Sequence, residues 1–173
     1  MNDIADAVGI VKASLYSHYS GKDDLFLAVG EDFLCDFAVL SDRLFGVSEN
    51  MNFPDKLHYI FTEYIFHYLR NPLLINFASQ SIKFVPDELT QSFLPKYQKL
   101  EEDYRRRLTV IFTEGMRQGI IRPGEPGKKA WSFKSTRDGV LTWMLVAQMG
   151  EETIEEFWND FWFGMAERDE SLQ

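Results

Sequence analysis

Cysteine and histidine are scarce in this sequence, which has one cysteine, Cys35, and three histidines in 173 residues. A single cysteine cannot form a disulfide within the chain, and this fits the reducing cytoplasm, where we expect the protein to be located. The histidines are not spaced as metal ligands are, and no Gly-x-Ser-x-Gly, phosphate-loop or dinucleotide-binding motif is present. We therefore expect no catalytic residue, no metal and no cofactor, and we do not expect an enzyme.

Long apolar runs and strand patterns are also missing. Uncharged apolar runs such as residues 139–150 are too short to cross a bilayer, and the sequence opens on no signal-peptide pattern, so we expect no membrane partner. Apolar residues recur every three or four positions in nearly every segment, whereas the alternation typical of strands does not occur. The sequence therefore predicts an all-α fold.

Basic residues are too few for a general affinity for nucleic acid. The sequence has 18 Lys and Arg against 27 Asp and Glu, a net charge of −9, and residues 1–46 contain only three basic residues against eight acidic ones. A protein that binds DNA has to neutralise phosphates. Any contact with DNA would therefore depend on a few local side chains.

Helix boundaries follow from capping residues, prolines and glycines. Ser20 followed by Asp23 has the pattern of a capping box, Pro95 can open a helix, and Gly119 can close one. The predicted helices cover residues 2–8, 12–19, 22–45, 54–70, 73–84, 95–118, 128–149 and 151–166, with a brief turn or two at 87–94.

The first two dozen residues have the spacing of a helix-turn-helix. Ala5 lies four residues before Gly9, which puts a small side chain where two helices cross closely. Gly9 can adopt the left-handed conformation that ends the first helix. Ile4, Ile10 and Leu15 can close an apolar wedge between the two helices.

The run Leu15-Tyr-Ser-His-Tyr19, followed by Ser20-Gly-Lys-Asp23, resembles the DNA-binding domain of the TetR family of bacterial transcriptional regulators. The resemblance implies a helix-turn-helix DNA-binding domain over residues 1–29 and a helical effector-binding and dimerisation domain over residues 30–173. Residues 115–119 and 138–141 are weaker likenesses to the same family. The resemblance also implies that a helix which precedes the motif in family members is absent from this sequence, so we expect the sequence alone to bind DNA weakly.

The second helix of the motif would be the recognition helix, whose first residues lie near base edges in the major groove. The residues placed to contact DNA in this way are Val11, Lys12, Ala13, Ser14 and Ser17. The resemblance implies that Tyr16 and His18 contact the DNA backbone and that Lys22 pairs with a phosphate, as the start of a helix favours. The alternatives are a core position for Tyr16 and plain surface positions for His18 and Lys22. Val11 stands where the family usually has a serine cap, and valine cannot cap a helix.

The C-terminal helices carry an aromatic stripe that suggests a dimer interface. Four-helix bundles formed across a two-fold axis bury such stripes. The residues expected at the interface are Val140, Trp143, Met144, Ile154, Phe157, Trp158, Phe161, Trp162 and Met165. The alternative is that the last helix belongs to the core of a single chain.

The middle helices combine aromatic and polar side chains on their inward faces, as ligand pockets do. In the TetR family this region holds the effector pocket. The residues predicted to line it are His58, Phe61, Tyr64, Phe77, Gln80, Tyr97, Tyr104, Phe112 and Trp143. The alternative is that these side chains form core rather than pocket.

These observations together predict a TetR-like transcriptional regulator. We expect a homodimeric repressor that binds palindromic double-stranded operator DNA and is released by a small hydrophobic or aromatic effector. Effector binding would tilt the helix over residues 22–45 and move the two recognition helices out of register with half-sites about one turn apart. The alternative function is a helical protein-interaction or ligand-binding module without DNA binding.

Overall fold

The computed structural model describes residues 1–83 and 87–166, and their side chains except at 78, 79, 81–83, 87 and 88. This part of the chain contains helices and no strand, with one isolated bridge between Ile121 and Ala166. The helices are α1 (Asn2–Val8), α2 (Lys12–His18), α3 (Lys22–Val47), α4 (Phe53–Arg70), α5 (Pro72–Lys83), α6 (Asp87–Arg117), α7 (Pro126–Ala147) and α8 (Glu152–Met165). The all-α prediction is confirmed.

No helix in residues 1–83 and 87–166 combines the length and apolarity needed to cross a bilayer.

The N-cap of α3 is Gly21, one residue after the predicted cap, Ser20. The backbone N–H of Ser20 donates to a carboxylate oxygen of Asp24 at 2.9 Å, and the Ser20 hydroxyl lies 3.2 Å from the same oxygen. The sequence had suggested Asp23 as the acidic partner. Because Gly21 rather than Ser20 occupies the N-cap position, Asp24 rather than Asp23 is the third residue of the helix and the carboxylate within reach of Ser20.

Helix α6 runs without a break through Pro95, so the predicted start of a helix at this proline is wrong. A proline inside a helix leaves the carbonyl four residues earlier, here that of Gln91, without an intrahelical hydrogen bond. Both Gln91 and Pro95 are exposed, and water can therefore bind the freed carbonyl. The predicted turn over residues 87–94 forms the first turns of α6.

One hydrophobic core joins α3, α4, α6, α7 and α8, and α7 packs against both α4 and α6. Edge-to-face rings hold its centre: Phe133 of α7 has ring centroids 5.8 Å from Phe61 and 5.9 Å from Phe112. Gly115 of α6 lies directly beneath Phe53, where a Cβ atom would come within 2.2 Å of the ring. The close approach of α4 to α6 therefore requires glycine at this position.

A single buried cation connects three of these helices. Arg137 of α7 is fully buried, and its guanidinium donates to the Tyr104 hydroxyl on α6 and, at 2.7 and 3.0 Å, to Asp138. The guanidinium carbon lies 3.3 Å from the centroid of the Tyr64 ring on α4. Burial acts to lower the pKa of Arg137, but Asp138 and the tyrosines raise it above its ordinary value. Burial acts to raise the pKa of Asp138, but Arg137 and Lys134 bring it below its ordinary value, so both groups stay charged.

Two buried tyrosines provide a matched test of this arrangement. The Tyr104 hydroxyl accepts a hydrogen bond from Arg137, whereas the Tyr68 hydroxyl has no hydrogen-bond partner among the described residues. We expect Tyr104→Phe to lower the free energy of unfolding by about 1–3 kcal/mol, because a buried N–H is left unpaired. Tyr68→Phe removes a hydroxyl that is already unpaired, so it should leave stability unchanged or raise it. Urea unfolding with unchanged m-values measures the difference, and equal losses in the two variants would contradict it.

Candidate functional site

The first two helices form the predicted helix-turn-helix around a small apolar cluster of their own. Met1, Ala5 and Leu15 are buried in this cluster. Gly9 adopts the predicted left-handed conformation, with a φ of 70°, and ends α1. The backbone N–H of Ile10 then donates to the Ala5 carbonyl at 3.0 Å, but the Ile10 side chain is exposed rather than wedged between the helices.

Helix α2 presents almost its whole surface to solvent, because Leu15 is its only buried side chain. Lys22 at the start of α3 is exposed as well. The structure therefore places all eight residues predicted to contact DNA on the surface of one small unit; they are Val11, Lys12, Ala13, Ser14, Tyr16, Ser17, His18 and Lys22.

This surface offers hydroxyls, a phenol and cations. Tyr16 is 47% exposed, which contradicts a core position, and the Lys12 ammonium lies 5.5 Å from the centroid of its ring. The Ser17 hydroxyl donates to the Ser14 carbonyl at 2.7 Å and can still accept a hydrogen bond. Val11 is the N-cap of α2 and makes no side-chain cap bond, as expected for valine. Groups of these kinds contact phosphates and base edges.

A cavity of about 150 Å³ lies within the helical body, among α3, α4, α5, α6 and α7. Its walls are aromatic and aliphatic on one side and charged on the other. The lining residues are Phe33, Phe37, Tyr64, Ile75, Tyr97, Glu101, Lys134, Asp138, Leu141 and Thr142.

The charged side of the cavity is a connected network. Lys134 lies between two carboxylates, with Nζ 2.7 Å from Asp138 and 3.1 Å from Glu101. The Tyr97 hydroxyl donates to Glu101 at 3.1 Å, and burial together with this carboxylate raises the pKa of Tyr97, which stays protonated. Asp138 also pairs with Arg137. The positive charges of Lys134 and Arg137 therefore balance the negative charges of Glu101 and Asp138.

A wider cleft of about 440 Å³ lies between α6 and α7 on the outer side of this network. Tyr97, Glu101 and Lys134 line both the cleft and the cavity. The cleft also includes Trp131, whose ring is 53% exposed and lies 6.0 Å from the Arg105 guanidinium. These three side chains therefore lie between the cavity and the cleft.

The predicted pocket residues are dispersed. Tyr64 and Tyr97 line the cavity, and Tyr104 lies beside it on Arg137. The other predicted residues do not line it. Phe61 and Phe112 are buried in the core, Phe77 packs on Phe26, Phe33 and Phe93, His58 pairs with Glu155 at 3.0 Å, and Gln80 and Trp143 are exposed.

The charged cavity residues Glu101, Lys134 and Asp138 were missed by reasoning from the sequence. A signal for them did exist, because Lys134, Arg137 and Asp138 fall within one turn of the otherwise mostly uncharged α7. Charges grouped in that way on a packed helix indicate either an exposed face or a buried pair.

The aromatic stripe of α8 packs within its own chain. Trp158 lies 5.6 Å from Phe61, and Phe161 lies 5.7 Å from Phe133, measured between ring centroids. Of the residues expected at a dimer interface, five are buried, three are half-buried and one is exposed. The buried ones are Val140, Met144, Ile154, Trp158 and Met165, the half-buried ones Phe157, Phe161 and Trp162, and the exposed one Trp143.

The first 29 residues also match a family model, that of the bacterial regulatory proteins of the tetR family. Among curated protein sequences, none matches the chain significantly.

Solved structures share the fold of almost the whole chain. The TetR family transcriptional regulator PfmR from Thermus thermophilus is 20% identical, with a TM-score of 0.71 over 96% of this chain and 85% of that one. The ketosteroid transcriptional regulator KstR2 of Mycobacterium tuberculosis is 16% identical, with a TM-score of 0.74 over 96% and 84%. The transcriptional regulator FadR from Bacillus subtilis, solved in complex with stearoyl-CoA, is 18% identical, with a TM-score of 0.67 over 94% and 84%.

Residues 1–29 are thus similar to the bacterial regulatory proteins of the tetR family, and the chain shares the fold of the solved structures above.

Proposed function

We propose that this protein is a ligand-responsive transcriptional regulator, with a DNA-reading head over residues 1–29 and an effector-binding and dimerisation body over residues 30–173. The observation that carries the proposal is the continuity of α3, whose 26 residues begin directly after the recognition helix and line the cavity with Phe33 and Phe37. Helix α3 therefore connects the candidate DNA-binding surface with the cavity.

The head supports binding in the major groove of double-stranded DNA. Helix α2 is anchored through Leu15 and leaves its remaining side chains free for contact. Lys12 and the serine hydroxyls would reach base edges, and Lys22 would pair with a phosphate at the start of α3. Because the protein carries a net charge of −9, affinity would depend on these local contacts.

A dimer would present two such heads to a palindromic operator. Helices α7 and α8 support this part of the proposal, because they still expose large apolar side chains after the stripe of α8 has been buried. These are Trp143, 58% exposed, and Val146 and Phe163, both 71% exposed. We place the interface on these exposed residues together with the half-buried members of the predicted set.

Effector binding would be transmitted along α3. Phe33 lies eleven residues after Lys22, a separation of about 17 Å along the helix axis. A shift of the Phe33 and Phe37 rings as the cavity fills would tilt the helix and move both recognition helices. A coupling free energy of about 1–3 kcal/mol would be enough to release the operator. FadR, crystallised with stearoyl-CoA, shows that a relative of this fold binds a ligand.

DNA binding can be tested with duplexes that the wild-type chain selects from a random library at low salt. We expect Lys22→Ala to weaken binding to all selected duplexes alike and to reduce the slope of log affinity against log salt by about 1, because one phosphate contact is lost. Lys12→Ala should also change the order of preference among the duplexes. Lys99→Ala, on the exposed surface of α6, is the control and should have no effect. Equal affinities of the wild-type chain, Lys12→Ala and Lys22→Ala for the selected duplexes would contradict this DNA-reading surface.

The dimer can be tested by sedimentation of the full chain. We expect Trp143→Glu to shift the protein from dimer to monomer, because a charge would be buried without a partner at the interface. Val110→Glu is the matched control, since Val110 is 65% exposed on α6 and lies outside the proposed interface. A monomeric wild-type chain, or a dimer that both variants leave intact, would refute this interface.

A further inference from the structure

The size of the cavity limits the ligand to about one ring. The cavity measures about 150 Å³, and an apolar cavity of about 150 Å³ in another protein binds benzene. A long acyl chain such as that of stearoyl-CoA, the ligand seen in FadR, needs far more room. The described structure therefore favours a compact ligand over the extended one of that relative.

The inner wall is suited to a flat ring. Phe33 and Phe37 present parallel rings, one helical turn apart on α3, with centroids 6.4 Å apart and planes 9° apart. The Tyr97 ring packs against that of Phe33, with centroids 6.2 Å apart. Ile75 and Leu141 complete the apolar part of the lining. Aromatic ligands gain from offset and edge-to-face contacts with rings placed in this way.

The charges around the cavity favour a neutral ligand. Lys134 and Arg137 carry two positive charges, and Glu101 and Asp138 carry two negative charges, all within one hydrogen-bonded network. An anionic or cationic ligand would bring a charge into this enclosed space without a counterion, which is costly.

The remaining hydrogen-bonding capacity matches a hydroxyl group. The Lys134 ammonium has three N–H groups; it donates to Asp138 at 2.7 Å and forms an ion pair with Glu101 at 3.1 Å. Glu101 accepts a hydrogen bond from Tyr97, pairs with Lys134 and keeps unused lone pairs. A ligand hydroxyl can accept from Lys134 and donate to Glu101 at once, whereas a carbonyl can only accept.

We propose that the effector is an uncharged, single-ring hydroxylated aromatic molecule of the phenol class, with its ring against Phe33 and Phe37 and its hydroxyl between Glu101 and Lys134. This inference rests on the proposed function, since it identifies the ligand of the same cavity. It also accounts for signalling, because the ring contacts α3 directly.

Calorimetry on the full wild-type chain with four single-ring probes tests the proposal. The probes are p-cresol, toluene, benzoate and benzylamine at neutral pH. We expect p-cresol to bind, and the other three to bind about tenfold more weakly or worse. Toluene lacks the hydroxyl, and the other two carry a charge without a counterion.

A substitution in the network tests where the probes bind. Glu101→Gln keeps the shape and the hydrogen bond from Tyr97 but leaves one positive charge in excess. We expect it to improve the affinity for benzoate relative to p-cresol by about tenfold. Glu102→Gln is the control, because Glu102 is the next residue of α6 but lines only the outer cleft. Glu102→Gln should leave the ratio of the affinities for benzoate and p-cresol unchanged.

Three outcomes would overturn the proposal: tighter binding of benzoate or benzylamine than of p-cresol by the wild-type chain, no binding of any single-ring probe, or a ratio that Glu101→Gln does not change. A chain that binds selected duplexes but is released by stearoyl-CoA and not by p-cresol would refute the ligand class alone. A chain that binds p-cresol but whose binding to duplexes is unchanged by Lys12→Ala and Lys22→Ala would refute the DNA-reading surface and leave the ligand class standing.

Discussion

The buried guanidinium of Arg137 is the interaction on which the rest of the body depends. A cation without access to water has to be fully paired, and here the partners come from three helices. Asp138 compensates the charge, Tyr104 accepts from the guanidinium, and the Tyr64 ring covers it. Because Asp138 lies beside Arg137 on α7, the contacts that position α7 relative to α6 and α4 are the hydrogen bond to Tyr104 and the contact with the Tyr64 ring.

This constraint extends into the cavity. Asp138 is shared between the buried arginine and Lys134, and Lys134 in turn binds Glu101. The charged wall of the cavity is therefore anchored to the core through Arg137. The aromatic wall, Phe33 and Phe37, belongs to α3. A ligand that enters meets one rigid wall and one that continues into the helix-turn-helix. Under the proposed mechanism, displacement on ligand binding would be transmitted along α3 toward residues 1–29.

The sequence was informative where local rules decide the structure. The left-handed turn at Gly9 and the exposed face of α2 follow from short-range spacing, and both were predicted. The helix start predicted at Pro95 was wrong, because the Gln91 carbonyl that the proline leaves unbonded is exposed to water and the helix can continue. The stripe from Ile154 to Met165 correctly indicated a buried helical face, but periodicity does not tell whether the covering surface belongs to the same chain.

The cavity was harder to predict for a related reason. Of its aromatic members, Tyr64 and Tyr97 were predicted and Phe33 and Phe37 were not, since bulky inward residues are typical of both pockets and cores. Its charged members were not, because Glu101 and Lys134 lie on different helices and come together only through tertiary packing. No spacing within one helix encodes that pair, whereas the DNA-contacting set lies on a single short segment and can be recognised from it.

The burial of the α8 stripe within its own chain has a consequence for assembly. A subunit that covers its aromatic residues with its own helices has a complete core before it meets a second copy. Pairing of the kind proposed here would then follow folding, as an equilibrium between finished subunits. Occupancy of the operator would rise with the cellular abundance of the protein more steeply than in direct proportion, so the amount synthesised would itself act as a regulatory input.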